Sequence, residues 1–251
     1  MATVQSEHGR IELFEDFTGP EWIVAETSAS GALGDFRVIG DGVADNTIGI
    51  TVDEATAPLN GVGIFMTGAT DKDTTGVATA LCLDVALMAP IVIEARLQFA
   101  DLDTKVAFIG LTSANGDDLS IEDDVIDTTA GTTIENTATH ICGFYLSDEL
   151  TDDEDWHAVY KGGTAAAVTL STDLDLDDDA VAGEFQILRL EVDNNGTARW
   201  YIDGVLLKTL AGAVSTTADL AAVCAIGTDA STSEYMYVDY FSVKANRDWT
   251  V

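Results

Sequence analysis

The chain has 251 residues, of which 44 are acidic and 11 are basic, and its formal net charge at pH 7 is -33. That balance excludes nucleic acid and anionic membranes as expected partners, since both are bound through clustered Lys and Arg. The basic residues are instead scattered singly from Arg10 to Arg247. Hydrophobic residues make up 47% of the chain, which is enough apolar surface for a folded core.

The first ten residues, MATVQSEHGR, precede the first strand pattern. They contain no basic stretch followed by an apolar stretch, as a secretory signal would, and no apolar run in the chain reaches the roughly 18 residues of a membrane span. We expect residues 1–10 to form an arm on a neighbouring subunit and residues 11–251 to form a single β-sandwich domain. The protein is expected to be made in a cytoplasm.

Strand patterns follow one another up to residue 99. They are IELFEDF, EWIVAE, FRVIGDG, NTIGITV, NGVGIFMTG, VATALCLDVAL and PIVIEARLQF. In the last of these, apolar and polar residues alternate from Ile91 to Phe99, which predicts a half-buried strand. The segment KVAFIGLTSA, which begins at Lys105, is expected to pair with that strand as a hairpin.

Residues 113–139 are polar, acidic and rich in Thr, so they predict a long surface loop with at most a short strand or helical turn. Strand character resumes in HICGFYLSD and, after the acidic loop ELTDDED, in WHAVYKGG and AAVTLSTDLDL. In the last segment four apolar residues alternate with polar and acidic ones, which predicts a strand with one buried face. These apolar residues are Val168, Leu170, Leu174 and Leu176.

The segment FQILRLEVDNNGTARWYIDGVLLKTL, residues 185–210, predicts a three-stranded meander. A three-residue loop with a left-handed Gly196 places Leu188, Leu190 and Val192 opposite Ile202, Trp200 and Ala198 on one apolar face. A tight Asp203-Gly204 turn then brings Ile202 and Trp200 to Val205 and Leu207. LAAVCAIGTDA and EYMYVDYFSVKA close the chain, and the large side chains on both faces of the latter indicate an interior strand.

One acidic motif suggests catalysis. The spacing from Glu122 to Asp127 approximates the Glu-x-Asp-x-x-Glu motif of laminarinase-type glycosidases, in which two carboxylates flank a sugar. The last position is Asp rather than Glu, and the intervening residues lack the alternation of a catalytic strand. A solvated loop is the alternative interpretation.

A second motif suggests calcium. Asp173, Asp175 and Asp177, with Glu184 eleven residues after the first, have the spacing of a calcium-binding loop. The sixth position is Asp178, where such loops need Gly. The alternation of leucines explains the same aspartates as the wet side of a strand.

The aromatic, cysteine and histidine residues give weaker indications. A sugar-stacking platform could be formed by the four tryptophans, Trp22, Trp156, Trp200 and Trp249. Trp200 falls on the inward face of the meander and is predicted to be core, so Trp156, beside Tyr145 and Tyr160, is the better candidate. The sequon at Asn195 is explained by its turn. Three cysteines in apolar runs are expected to be buried thiols, and no histidine has a nucleophile and carboxylate nearby in sequence. These residues are Cys82, Cys142 and Cys224, and His8, His140 and His157.

The meander and the terminal strand EYMYVDYFSVKANRDW resemble the end of a concanavalin A-like, laminin-G-like jelly-roll β-sandwich. FEDFTGPEW resembles the opening strand of such domains, and IEARLQFADLDTKVAFIGLTSANGD resembles their central hairpin. The resemblance implies an all-β fold, an antiparallel jelly-roll sandwich, here with long acidic loops. Such domains include lectins, glycan-binding modules, glucanases and virion proteins.

The strongly acidic composition, without an evident catalytic pair, looks most like a structural protein of a tailed bacteriophage. This resemblance implies a non-enzymatic capsid decoration or cement protein on the virion surface. Its partners would be the major capsid protein and copies of itself in a homotrimer, without a metal or cofactor. The alternatives are a carbohydrate-binding module or phage fibre domain that takes a glycan, and a laminarinase-like glycosidase that depends on Glu122 and Asp127.

Overall fold

The computed structural model describes residues 9–18, 22–23, 32–41, 49–52, 61–129 and 131–248. Most of the predicted arm, Trp249 and the side chain of Trp22 lie outside the described residues. The described strands, in chain order, are β1 (Arg10–Glu15), β2 (Trp22–Ile23), β3 (Ala32–Leu33), β4 (Phe36–Ile39), β5 (Gly49–Val52), β6 (Gly63–Met66), β7 (Thr74–Ala78), β8 (Leu83–Asp84), β9 (Ile91–Phe99), β10 (Lys105–Thr112), β11 (Asp127–Thr129), β12 (Thr133–Glu135), β13 (Ile141–Ser147), β14 (Asp155–Lys161), β15 (Asp175–Asp179), β16 (Gln186–Val192), β17 (Ala198–Ile202), β18 (Val205–Leu210), β19 (Asp219–Thr228) and β20 (Tyr235–Asn246).

Two antiparallel sheets, each of nine strands in the described part of the chain, form the body of the protein. The first sheet has the order β18-β17-β16-β9-β20-β6-β5-β2, with β1 paired to β20. The second has the order β15-β14-β13-β10-β19-β7-β4-β3, with β8 paired to β19. Strands β11 and β12 form a separate hairpin. This arrangement confirms the predicted all-β sandwich, and the core lies between the two sheets.

Strand β9 has the predicted alternation, since every second residue from Ile91 to Phe99 is buried. Its expected hairpin with β10 is wrong. Strand β9 pairs with β16 and β20, whereas β10 pairs with β13 and β19 in the other sheet. Every residue of β10 is buried, so this strand needs cover on both faces, and the chain crosses between sheets at residues 100–104.

The predicted register of the meander is confirmed. Leu188 pairs with Ile202, Leu190 with Trp200 and Val192 with Ala198, and Gly196 has the expected left-handed φ of 76°. The next turn differs in detail, because a bulge after Trp200 places Lys208 opposite it. Strand β18 therefore lies at the sheet edge with Val205 57% exposed, rather than in the core.

Two predicted strands contain short helices. The segment VATALCLDVAL ends in the helical turn α1 (Val85–Met88), whose N-cap Asp84 accepts a hydrogen bond from Leu87 N at 3.2 Å. In AAVTLSTDLDL the chain forms a second helical turn, α2 (Ser171–Leu174), before β15 begins. Leu174 and Leu176 are buried as predicted, but Leu170 is exposed, because helical turns do not keep the two-residue alternation of a strand.

Residues 113–139 contain the short strands and helical turn that the sequence allows, but they differ from the predicted surface loop in how deeply they are buried. They contain a single π-helical turn (Ile121–Val125) and the β11-β12 hairpin. Five of their aliphatic side chains are completely buried against the second sheet, on the face away from the first: Leu119, Ile121, Val125, Ile126 and Ile134. This insertion covers the outer face of β10 and β13, which explains why both strands are buried along their whole length.

No helix in the described part of the chain is long and apolar enough to cross a bilayer.

Cys142 and Cys224 are buried thiols, as expected, and burial raises the pKa of both. Cys82 is exposed, contrary to expectation. It precedes the two-residue strand β8, where the chain runs over the surface.

Candidate functional site

A carboxylate cluster lies where the insertion meets the second sheet. It consists of Glu122, Asp127 and Glu149, each of which places one carboxylate oxygen within 4.8 Å of the others. Glu122 belongs to the π-helical turn, Asp127 begins β11, and Glu149 lies in the turn after β13. The sequence paired Glu122 with Asp127, and the structure adds Glu149, which sequence spacing could not indicate because it is 22 residues further along.

Local hydrogen bonds hold Glu122 in place. Ser120 caps the π-helical turn, with its Oγ accepting from Asp123 N at 3.3 Å, and Ile121 N donates to Thr74 Oγ1 of β7 at 3.0 Å. Ile126 N closes the turn by donating to Ile121 O at 2.8 Å. The buried neighbours Ile121 and Val125 then fix the orientation of the Glu122 side chain on the sheet.

The environment of Glu122 is unusual for an acid. Its side chain is only 4% exposed, and its Oε2 has no hydrogen-bond partner among the described residues. Burial, reinforced by the charges of Asp127 and Glu149, raises its pKa to about 8. Burial and Asp127 also raise the pKa of Glu149. At neutral pH Glu122 therefore carries a proton unless a cation approaches.

A second acidic pair adjoins the cluster. Asp148 Oδ2 accepts from Thr104 N at 2.6 Å, while its Oδ1 has no partner among the described residues. Burial, followed by a hydrogen bond to Asp148, raises the pKa of Asp229 to about 8, and the charges of Glu149 and Glu122 act in the same direction. The cluster therefore belongs to a larger group of acidic side chains.

Lys72, a base whose charge acts on Glu122 and Glu149, is already paired. Lys72 Nζ lies 2.7 Å from Asp123 Oδ1, and that hydrogen bond is the main cause of a raised lysine pKa. Below the cluster, the Thr128 hydroxyl lies 2.9 Å from Tyr145 Oη and donates to Ser147 Oγ at 3.1 Å. These groups anchor β11 to β13 but leave Glu122 Oε2 unpaired.

The glycosidase hypothesis is only half supported by this arrangement. The two predicted carboxylates do come together, as hydrolysis with retention would need. However, Glu122 is 96% buried beneath its own insertion, so a polysaccharide cannot contact its carboxyl group in this conformation.

The predicted calcium loop is not assembled. Asp173 lies in α2, whereas Asp175 and Asp177 lie on β15. Asp175 alone joins a three-carboxylate group, with Asp152 and Asp155, at the edge of the second sheet. In that group burial, followed by a hydrogen bond to Asp179, raises the pKa of Asp155 to about 7.

The predicted sugar-stacking residues are in the core. Trp156 is fully buried, its ring packs on Phe99 and Phe144, and its Nε1 donates to Gln186 Oε1 at 3.0 Å. Tyr145 and Tyr160 are also buried. Trp200, correctly predicted as core, donates from Nε1 to Gly143 O at 2.8 Å and so links the two sheets. None of these rings can stack on a sugar.

Accessible aromatic rings occur instead on the outer face of the first sheet. Arg96 lies 4.2 Å from the centre of the Phe185 ring, and Arg189 lies 5.9 Å from that of Tyr201. We call these four residues the aromatic patch. Glu94 links it to β20 by accepting from Tyr240 Oη at 2.9 Å. The polar residues that alternate with apolar ones in β9 indicate this outer face in the sequence. Which aromatic rings and guanidinium groups meet on it depends on the order of the strands in the sheet.

No family model matches the sequence, and no curated protein sequence matches it. Similar solved structures include a protein of unknown function, SO2946 from Shewanella oneidensis MR-1, with 11% identity, a TM-score of 0.58 and coverage of 100% of this chain and 92% of that one. The Emp47p carbohydrate recognition domain has 7% identity, a TM-score of 0.54 and coverage of 94% of each chain. The β-glucanase of Bacillus licheniformis has 12% identity, a TM-score of 0.51 and coverage of 96% of this chain and 100% of that one.

These likenesses show the fold. The chain has the jelly-roll sandwich of concanavalin A-like lectin domains and of β-glucanase, as the sequence predicted. At 7 to 12% identity they carry no residue of a binding or catalytic site onto this chain.

Proposed function

We propose that this protein is a non-enzymatic structural component of a virion, a capsid decoration protein that stabilises a phage head by binding the capsid lattice. One observation carries the proposal. The edge strand β18 has no strand partner on its outer side in the described part of the chain, and it presents Val205 and Leu206 at 57% and 47% exposure. An open edge with exposed apolar side chains is a template for pairing with another chain.

The absence of accessible chemistry among the described residues supports this function. Glu122, the carboxyl group with the most perturbed environment in the predicted catalytic motif, is almost completely buried. The predicted pair of Glu122 and Asp127 therefore does not present two accessible carboxylates. A protein that adheres needs a rigid body and exposed contacts, and the two nine-stranded sheets supply both.

The charge suits a particle surface. A formal net charge of -33 opposes non-specific association between particles, and apolar contact at an edge strand still allows specific docking. We place the major capsid protein or a second copy of this chain, in a homotrimer, at the β18 edge. The virion surface is the corresponding location.

The experiment compares two leucines of matched exposure. Leu206→Glu alters the β18 edge, and Leu87→Glu alters α1, where Leu87 is 46% exposed. Light scattering on purified protein, and co-sedimentation with empty heads of the parent virus, should show a trimer that binds heads. We expect Leu206→Glu to weaken head binding or trimer formation at least about tenfold, and Leu87→Glu to leave both unchanged. A wild-type protein that stays monomeric and does not sediment with heads would reject the proposal.

A carbohydrate-binding function is the second candidate, and the aromatic patch favours it. Rings flanked by guanidinium and carboxylate groups provide stacking and hydrogen bonds for a sugar. Glycan-array binding that is lost in Tyr201→Ala but kept in Tyr235→Ala, three strands away on β20, would support this function. If the protein binds no glycan on the array, the capsid-binding function remains as the single candidate.

A further inference from the structure

The carboxylate cluster has the features of a metal site. Three acidic side chains from separate elements converge so that one oxygen from each lies within 4.8 Å of the others. Oxygens on opposite sides of a calcium ion are about 4.6–5.2 Å apart, because each Ca–O distance is about 2.3–2.6 Å. For magnesium the corresponding separation is about 4.0–4.2 Å. Oxygens that lie within 4.8 Å of one another are compatible with either separation, so the cluster can accommodate a divalent cation.

The buried oxygen of Glu122 is the second, independent observation. A polar atom removed from water without a hydrogen bond costs free energy, so such atoms are rare in folded proteins. Glu122 Oε2 is such an atom, on a side chain that is 4% exposed and points into the cluster. A cation bound between the three carboxylates would give this oxygen a partner.

The neighbouring polar groups in the described part of the chain already have other partners. Lys72 directs its ammonium group to Asp123, and the hydroxyl groups of Thr128, Ser147 and Tyr145 are bonded to one another. The neighbouring Asp148 and Asp229 also have Oδ1 atoms without a hydrogen-bond partner among the described residues. Glu149 is exposed, so an ion can enter from solvent.

We propose that Glu122, Asp127 and Glu149 bind one calcium ion, with solvent water completing its coordination. Calcium takes six to eight oxygen ligands in flexible geometry. Three carboxylates, each monodentate or bidentate, can therefore complete its coordination together with water. The ion would tie the insertion, through Glu122 and Asp127, to the β13-β14 turn, through Glu149. This site is distinct from the Asp173 to Glu184 spacing in the sequence, which the fold does not assemble.

The test uses the full chain, freed of metal with a chelator and then dialysed. Calorimetric titration with calcium chloride in about 0.5 M sodium chloride, which screens diffuse attraction to an acidic protein, should show one site per chain. Thermal melting should show a stabilisation that saturates with calcium and is weaker with magnesium.

Matched variants locate the ion. Asp127→Asn and Glu149→Gln should each weaken calcium binding at least tenfold. Asp127 is partly exposed and Glu149 is exposed, so both variants are expected to fold. Asp175→Asn, in the other three-carboxylate group, should not change it. The proposal is overturned if millimolar calcium gives no saturable heat and no shift in melting, or if Asp127→Asn binds calcium as the wild type does. Equal loss in Asp175→Asn would also overturn it, because binding would then be diffuse.

Discussion

Glu122 shows how a single side chain responds to its tertiary surroundings. In the unfolded chain it is an ordinary acid with a pKa of 4.5, and in the folded protein burial and two carboxylate neighbours raise that pKa to about 8. Below pH 4.5 it is protonated in both states. As the pH rises, the unfolded chain loses the proton first, so stability falls until the pH passes about 8.

Glu122→Gln should remove part of this pH dependence. Glutamine has the same shape without the titration, so with chelator present the variant should gain stability over the wild type at about pH 8.5 but not at about pH 4.5. The gain should be on the order of a few kcal/mol, since each pKa unit corresponds to about 1.4 kcal/mol. Urea unfolding across this pH range measures it.

Glu135→Gln is the control, because Glu135 lies in the same insertion, on β12, and is exposed. Its unfolding curves should follow those of the wild type. Identical pH profiles for the wild type and Glu122→Gln would contradict the raised pKa. Two half-buried acids with raised pKa values, Asp155 and Asp229, keep some pH dependence in every variant.

At the scale of elements, the meander depends on two left-handed glycines in its turns. Gly196 has a φ of 76° and Gly204 a φ of 80°. Their surroundings differ, because a Cβ on Gly196 would lie 2.4 Å from Val214 O, whereas nothing lies within 4 Å of one on Gly204. The first turn is thus packed against the β18-β19 connection, and the second is open to solvent.

Substituting each glycine therefore distinguishes the free-energy cost of the backbone conformation from the cost of packing. Gly204→Ala should lose about 1–2 kcal/mol, the cost of a left-handed residue with a side chain. Gly196→Ala should lose at least about 1 kcal/mol more, since its methyl group also meets a backbone carbonyl. Urea unfolding of the two variants in parallel gives the comparison. Equal losses would show that the contact with Val214 relaxes without cost.

On the scale of the whole molecule, the dominant quantity is charge. The formal net charge of -33 is spread over a body whose described ion pairs are few and mostly at the surface. A buried exception is Lys105, 1% exposed, which bonds Asp101 and Glu234 where the chain crosses between the sheets. Repulsion between the remaining carboxylates therefore opposes folding.

Salt should stabilise this protein. Between about 0.05 M and 1 M sodium chloride the screening length falls to about 3 Å, so repulsion between surface carboxylates weakens. With chelator present, we expect the melting temperature to rise by about 2–4 °C for each kcal/mol of repulsion removed. Sucrose at matched osmolarity is the control for exclusion effects. A melting temperature that does not change with salt would contradict this expectation, because salt would then weaken charge repulsion in the unfolded chain as much as in the folded protein.

Several local features were predictable because they depend on near neighbours in sequence. The alternation in β9, the register of the meander and the left-handed Gly196 follow from side-chain period and turn chemistry. The pairing of β10 was not predictable in this way. A strand that follows another after a short link can form a hairpin or cross to the opposite sheet, and both satisfy the same local pattern.

The candidate site was likewise predictable only in part. Strand patterns and composition in the sequence predicted the all-β class and the acidic character, and motif spacing paired Glu122 with Asp127. Only the tertiary structure decided that the insertion folds over the second sheet, that Glu149 joins the two acids and that Trp156 is buried. Burial and convergence depend on contacts between residues far apart in the chain, and a sequence pattern reports only on residues within a few positions of each other.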